Sequence, residues 1–440
     1  MTTSSPRLAT TAASAYPSWL TGWRRTALLV LIAVVARVAY WKLAIPGYHP
    51  ISDAGQYSEL AWNVAHGKGL EMGFPALAPH PSAFRPPVYP LLLGFWFFVF
   101  GTSVGAGQAL SLITGVAAVL LTERLARRLA GPVAGVVAGL AVAVYLPLVA
   151  NDVMLLTESL SMVLLAGTLL LLVERRPLLA GLTSGVLILT RPSAQGLAVV
   201  AALWLWWTVG WRRALYFLGV VALLFAGWVI RNEIQLGSPV TFTSNGFNLA
   251  AMYSTQAQQS GGFVDPVYDP RFQDLRLLQF DEVKWSRTLT DRGISGIEHN
   301  PLYVFNVLGS NSKAWFELVP TTGDSAERLD GRNITVRHWA LPEFYLFTVG
   351  GIAGLVVTRR QRNTVLLIAV SLYFTAASLL VLAPPRLRAP FDLVNCVGLG
   401  LLAAWWWQRR HQVAEPAVDP AVTEEPPAPP GVRPLSRPRP

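Results

Sequence analysis

Cysteine is all but missing from this sequence: Cys396 stands alone in 440 residues, inside an apolar run. That rules out a disulfide within the chain and any metal site built on several cysteines. Charge is scarce as well, at 14% Asp, Glu, Lys and Arg, where soluble domains carry about 25%. No glycine-rich phosphate loop is present, and no repeat of about 20–50 residues. His49, His66 and His80 share one stretch, but no pair has the i, i+4 spacing of a helical metal site. No metal or other cofactor is therefore expected, a divalent ion being the less favoured alternative.

What the chain has in excess is apolar sequence, 52% of residues with a mean hydropathy of +0.42. Many of its apolar runs approach the length of about 20 residues that crosses a bilayer. The formal net charge is +10, which in a soluble protein would suggest nucleic acid. Here the arginines cluster at the ends of apolar runs, so they report topology and no nucleic-acid partner is expected.

The first run, Thr26 to Ala44, follows Arg24 and Arg25 and is too long for a signal-peptide core, so it reads as a retained span with a cytoplasmic N-terminus (1–25). Further runs are Val104–Leu121, Pro132–Ala150, Leu155–Val173, Leu178–Thr190, Leu197–Val209, Ala214–Ile230, Leu341–Val357, Thr364–Leu382 and Phe391–Trp407. Basic clusters (ERLARR, ERR, WRR, TRRQR, QRR) mark every second turn, as the positive-inside rule requires. The alternation holds only if the shorter Tyr89–Phe100 does not cross by itself, which makes it an interfacial or partly inserted helix and gives about ten spans. The expected architecture is an all-α polytopic membrane protein in two transmembrane modules, 26–231 and 341–410. Between them, 232–340 reads as a small mixed domain outside the membrane, from its Gly, Asn, Asp and Ser turns and a few amphipathic runs such as NPLYVFNVLGSNSKAWFEL. The Pro-rich tail (411–440) reads as cytoplasmic and disordered.

The stretch of greatest interest lies in the first outer loop, 45–103. SDAGQYSEL is a helix start with Ser52 as N-cap and Asp53 in the first turn, and Asp53 and Tyr57 share one face. Arg85 stands before Pro86 and Pro87, which keep the backbone extended. Asp152, Glu158, Arg191, Arg231, Arg386 and Arg388 also fall at or near outer ends of spans, where charges are expensive and rarely incidental. Five arginines toward one face suit a ligand rich in anionic oxygens such as a phosphate. Simpler readings stand beside these: Asp53 as a helix-start carboxylate, Arg191 as a hairpin cap, Arg231 and Arg388 in salt bridges to Glu233 or Asp392, and Tyr57 as interfacial packing.

DAGQY, AHGKGL and RPPVYPLLLGFWFFVFG resemble the first outer loop of the GT-C class of glycosyltransferases that use polyprenyl-phosphate sugars, the family 39-like superfamily. It includes bacterial relatives of protein O-mannosyltransferases and of the aminoarabinose transferase that modifies lipid A. LLTESL with Glu158, LTRPS with Arg191, WVIRNEIQLGSPVTFTSNGFNL with Arg231 and PPRLRAPFDLV follow in the same order, and the likeness spans about residues 25 to 410. The resemblance implies a GT-C fold with an outer catalytic cavity and a metal-independent or weakly metal-dependent inverting transfer. The donor would be a polyprenyl-phosphate-linked sugar, and the acceptor hydroxyl would lie on a lipid, protein or polysaccharide. It implies Asp53 as the base; Glu158, the other residue expected to be catalytic, would orient the sugar or acceptor. Tyr57, Arg85, Tyr89, Asp152, Arg191, Arg231, Arg386 and Arg388 would then bind substrate. Two departures stand out: the second acidic position is split between Asp152 and Glu158, and 232–340 has no counterpart. A lipid or glycan transporter, or a non-catalytic subunit of cell-envelope assembly, is the rival reading, and spread-out arginines far from Asp53 would favour the assembly subunit.

Overall fold

Each apolar run forms a helix in the computed structural model, which describes residues 22–412 apart from 77, 320 and 322. The N-terminal segment and the Pro-rich tail therefore lie almost wholly outside the described residues. The helices that match the expected spans are α1 (Trp23–Ala39, continued by a π turn over Tyr40–Ala44), α4 (Val104–Ala130), α5 (Pro132–Val144), α7 (Glu158–Val173), α8 (Pro177–Ile188), α9 (Gln195–Val209), α10 (Trp211–Leu236), α17 (Leu341–Val357), α18 (Arg362–Leu380) and α19 (Ala389–Gln412). Proline at the start of α5 and α8 and positive-φ glycines after α4 (Gly131), α9 (Gly210) and α10 (Gly237) set the boundaries. Among the described residues five helices are, by length and composition, able to cross a membrane unaided: Trp23–Ala44, Val104–Ala130, Trp211–Leu236, Arg362–Leu380 and Pro385–Arg410.

The run from Pro132 to Ala150 is broken, contrary to expectation. After α5, Tyr145 turns extended (ψ 107°) and a short helix, α6 (Leu146–Asn151), follows. Pro147 has no N–H for the carbonyl of Ala143, four residues back, so the helix cannot continue. The freed oxygen is taken by a buried arginine: Arg37 Nη1 donates to Ala143 O (3.0 Å) and Nη2 reaches Val142 O (3.4 Å).

In the first outer loop, α2 (Ser52–Ala65) and α3 (Val88–Phe100) pack as a hairpin, and Gly94 allows the approach: a Cβ there would stand 2.6 Å from Val64. At 13 residues, α3 is about 20 Å long, too short for a hydrocarbon core of about 30 Å. Its outer side shows Phe95, Phe98 and Phe100. α17 and α19 meet backbone to backbone at Gly351, Gly354 and Gly398, where a Cβ on Gly354 would fall 1.8 Å from the Gly398 carbonyl.

The segment expected to be a mixed domain is helical instead. It contains α11 (Ser244–Tyr253), α12 (Thr255–Ser260), a 3-10 stretch (Pro270–Phe280), α13 (Glu282–His299), α14 (Tyr303–Trp315), α15 (Asp324–Leu329) and α16 (Ile334–Trp339). Among the described residues the only strands are the two-residue pair Glu71–Met72 and His80–Pro81, in the first outer loop. Its helices are capped by polar side chains: Ser254, Asp269, Asp281 and Asn333 each accept from a backbone N–H in the following turn. This segment is tied to the first outer loop by a core of Phe84, Phe272, Trp285 and Leu289. It is tied to the membrane helices by Tyr253, whose hydroxyl donates to Leu380 O, and by Asn311, whose Nδ2 donates to Leu379 O (2.9 Å).

Candidate active site

The start of α2 brings the first elements together. Ser52 does not cap the helix as expected: it sits in the left-handed region (φ 51°), and no side-chain cap bond forms there. Asp53 follows, and each of its oxygens receives a guanidinium, Oδ1 from Arg85 Nη2 and Oδ2 from Arg386 Nη2. Arg85 is aimed by Gln56, whose Oε1 accepts from Nε at 2.7 Å, and it lies 5.3 Å over the Tyr57 ring. Tyr57 meets Tyr89 edge to face, with ring centroids 5.3 Å apart. Burial alone would raise the Asp53 pKa, but the two arginines outweigh it and hold the carboxyl well below its usual range, so it is a carboxylate at neutral pH.

The other side of the site comes from the 3-10 turn Pro385–Arg388 and from α15. Arg386 gives its Nη1 to Asp330 Oδ1 (3.0 Å) and its backbone N–H to Glu327 Oε1 (3.2 Å). Glu327 pairs with Arg332 (3.2 Å), which in turn donates to Asn151 at the end of α6. Glu158 opens α7, is 2% exposed, and keeps Oε2 without a hydrogen-bond partner. It is near enough to act electrostatically on Tyr57, Arg191 and Arg386. Arg191 is held by Ser193 Oγ (2.9 Å) and Leu387 O (2.9 Å), with its buried Nη1 uncommitted. A carboxyl oxygen and a guanidinium N–H thus stand unused beside the Asp53 clamp, the pattern of a site awaiting a polar ligand.

Asp53, Tyr57, Arg85, Tyr89, Glu158, Arg191 and Arg386 therefore form one group. Three expected members do not join it. Asp152 pairs with Arg37 through Nη2 (2.6 Å) and Nε (3.0 Å), and both are buried. Arg231 stacks on Trp228 (5.2 Å) and donates to Ser82 O (2.9 Å), stitching α10 to the first outer loop in place of a bond to Glu233. Arg388 is fully buried among Asp392 (3.1 Å), Glu317 (3.0 Å) and the Phe344 ring (3.7 Å), the salt-bridge reading of that residue. Sequence reasoning missed Asp330, Glu327, Arg332 and Gln56. Arg37, alone in the middle of LIAVVARVAYW, was a visible signal of a buried partner.

Away from the clamp, His80 Nε2 bonds Glu282 (3.0 Å), which also accepts from Ala83 N (2.9 Å) and Thr243 Oγ1 (2.6 Å), joining the outer loop to α13. That bond raises the His80 pKa above 6.5, against partial desolvation. The raised value means the stabilisation is complete below the ordinary histidine range and is lost as pH rises through the elevated pKa. Wild type should exceed His80→Ala in thermal stability at pH 5.5, by about 1 kcal/mol or less, and the difference should vanish at alkaline pH. A pH-independent difference in unfolding midpoints would show that the imidazole acts by packing alone.

Among the described residues no three His, Cys, Asp or Glu side chains are grouped to hold a metal ion. The obvious donor, Asp53, has both oxygens on guanidiniums.

A bundle of apolar helices thus carries an acid–arginine cluster where a short-helix hairpin and the helical 232–340 segment meet. Solved structures show the same fold. Archaeal oligosaccharyltransferase AglB from Archaeoglobus fulgidus, in complex with an inhibitory peptide and a dolichol-phosphate, superposes with a TM-score of 0.52 at 15% identity, covering 90% of this chain and 52% of that one. The oligosaccharyltransferase of the same organism, in complex with Zn and sulfate, gives 0.50 at 16% identity, covering 88% and 50%. ArnT from Cupriavidus metallidurans, bound to undecaprenyl phosphate, gives 0.50 at 14% identity, covering 88% and 60%. The chain thus spans between half and three-fifths of the length of these proteins. No protein-family model matches it, and no curated protein does.

Proposed function

We propose that this protein is an inverting glycosyltransferase that moves a sugar from a polyprenyl-phosphate donor to an acceptor hydroxyl outside the membrane, with both termini in the cytoplasm. The reading rests on one observation, the carboxylate of Asp53 held between Arg85 and Arg386. The lipids bound in two proteins of like fold, dolichol-phosphate and undecaprenyl phosphate, are of the kind such a transfer would release.

In the proposed reaction the acceptor oxygen attacks C1 of the sugar and the bond from C1 to the phosphate oxygen breaks. Its electron pair stays on the phosphate, which leaves as the polyprenyl phosphate, and the acceptor proton passes to Asp53. Arg85, Arg386 and the uncommitted Nη1 of Arg191 meet the charge that grows on the leaving group, so they stabilise the transition state more than the ground state. Turning toward the phosphate, Arg85 and Arg386 loosen their hold on Asp53, which makes its carboxylate more basic as the donor arrives. Glu158 orients a sugar or acceptor hydroxyl through its free oxygen. Tyr57 and Tyr89 wall the site. Arg231, Arg388 and Asp152 act at a distance: Arg231 holds the 45–103 loop, Asp152 the end of α6, and Arg388 ties the Pro385–Arg388 turn to the end of α14.

The test is to incubate the protein, purified in detergent, with labelled polyprenyl-phosphate sugars and lipid, peptide and polysaccharide acceptors. Transfer of label supports the reading. Donor binding without transfer to any acceptor would favour a transporter or an envelope-assembly subunit.

A further inference from the structure

Arg386 is shared between two carboxylates, and the second is not accounted for by the proposed chemistry. Its Nη2 serves Asp53 and its Nη1 serves Asp330 at 3.0 Å. The Asp330 side chain is 4% exposed, and it follows α15 directly. The charged and titratable groups around it are Arg386, Asp53 on α2, Arg332, Glu327 on α15, and Tyr48 from the first outer loop. Two acids and two arginines therefore surround one buried acid that touches the cation destined for the ligand.

We propose that Asp330 is a positioning residue that couples donor binding to the uptake of one proton. This rests on the reading of the site as one for a lipid phosphodiester. With Asp330 ionised, Arg386 is divided between two anions. With Asp330 protonated, its hydroxyl no longer competes for Nη1, and Arg386 can turn to the phosphate. An anion bound beside Asp330, or Arg386 drawn away from it, favours the neutral acid. Bound protein then holds more protons than free protein, and affinity falls as pH rises. Burial, reinforced by Asp53 and Glu327 and opposed by Arg386 and Arg332, pushes Asp330 up to about 7, which places the effect in the physiological range.

The probe is a polyprenyl methyl phosphodiester, which lacks a sugar and has no titration of its own near neutrality. Its dissociation constant for the purified full-length protein is measured from pH 6 to pH 9. Wild type should weaken by about tenfold across that range, one unit of coupling on a single acid. Asp330→Asn should bind equally well at all values, near the pH 6 affinity of wild type, and Asp330→Glu should keep the slope. His49→Gln is the control, because the His49 carbonyl lies near Gly331 and histidine ordinarily changes charge near neutrality. It should behave as wild type. A slope that survives in Asp330→Asn, or is absent from wild type, overturns the coupling while leaving the donor site intact. Failure of wild type to bind at any pH overturns the donor site and the coupling together.

Discussion

Asp53→Asn should reduce transfer by about 10²–10⁴-fold, the usual contribution of a positioned general base. The loss should fall on kcat. Removing the anion leaves Arg85 and Arg386 without their shared partner, so the phosphate meets guanidiniums that no longer have to be withdrawn from a carboxylate. Donor KM should therefore be unchanged or lower, the signature of an interaction that serves the transition state rather than binding. Asp53→Glu keeps the charge and displaces it by one methylene, and should fall between the two. Transfer by Asp53→Asn within about threefold of wild type, in protein that elutes as a single species, would remove this carboxylate from the role of base.

Arg37→Met should be the most damaging single change to stability. The side chain is fully buried and answers four demands at once: the Asp152 carboxylate and the carbonyls of Ala33, Ala143 and Val142. Methionine preserves most of the volume but leaves a buried anion and the carbonyl freed by Pro147 unanswered. Breaking one side of a buried pair is worth about 3–5 kcal/mol, a fall of about 3–5 °C in Tm for a chain of this length. Asp152→Ala added to Arg37→Met should restore part of the loss, because the uncompensated charge goes with it. Gly115 packs directly on Asp152, so nothing larger fits there. Additive losses in the unfolding midpoints of the two single variants and the double variant would mean that Arg37 and Asp152 are not coupled.

The helices were legible because apolar runs and their basic ends leave a one-dimensional record of insertion, and Pro and Gly punctuate it. Asp53 and Arg85 were legible for a related reason: ionisable residues near apolar ends are rare enough to stand out. Asp330 and Glu327 were not, since DSAERLDGR looks like any solvated stretch. Their burial comes only from α15 folding onto the Pro385–Arg388 turn. Arg231 and Arg388 show the opposite error, since rarity marks a charge as important without telling whether it faces a ligand or the protein. The 232–340 segment was misread because Ser, Asn and Asp favour turns and helix caps alike.

The carbonyls at the C-terminal end of α18 are closed by Tyr253 and Asn311, side chains contributed more than sixty residues earlier in the polypeptide. Where a helix would normally finish in solvent or headgroups, this one finishes against another part of its own chain. Gene fusions or swaps that exchange the periphery for that of a relative would have to carry replacements for these two donors. Diversification of the outer portion is consequently tethered to the anchor beneath it.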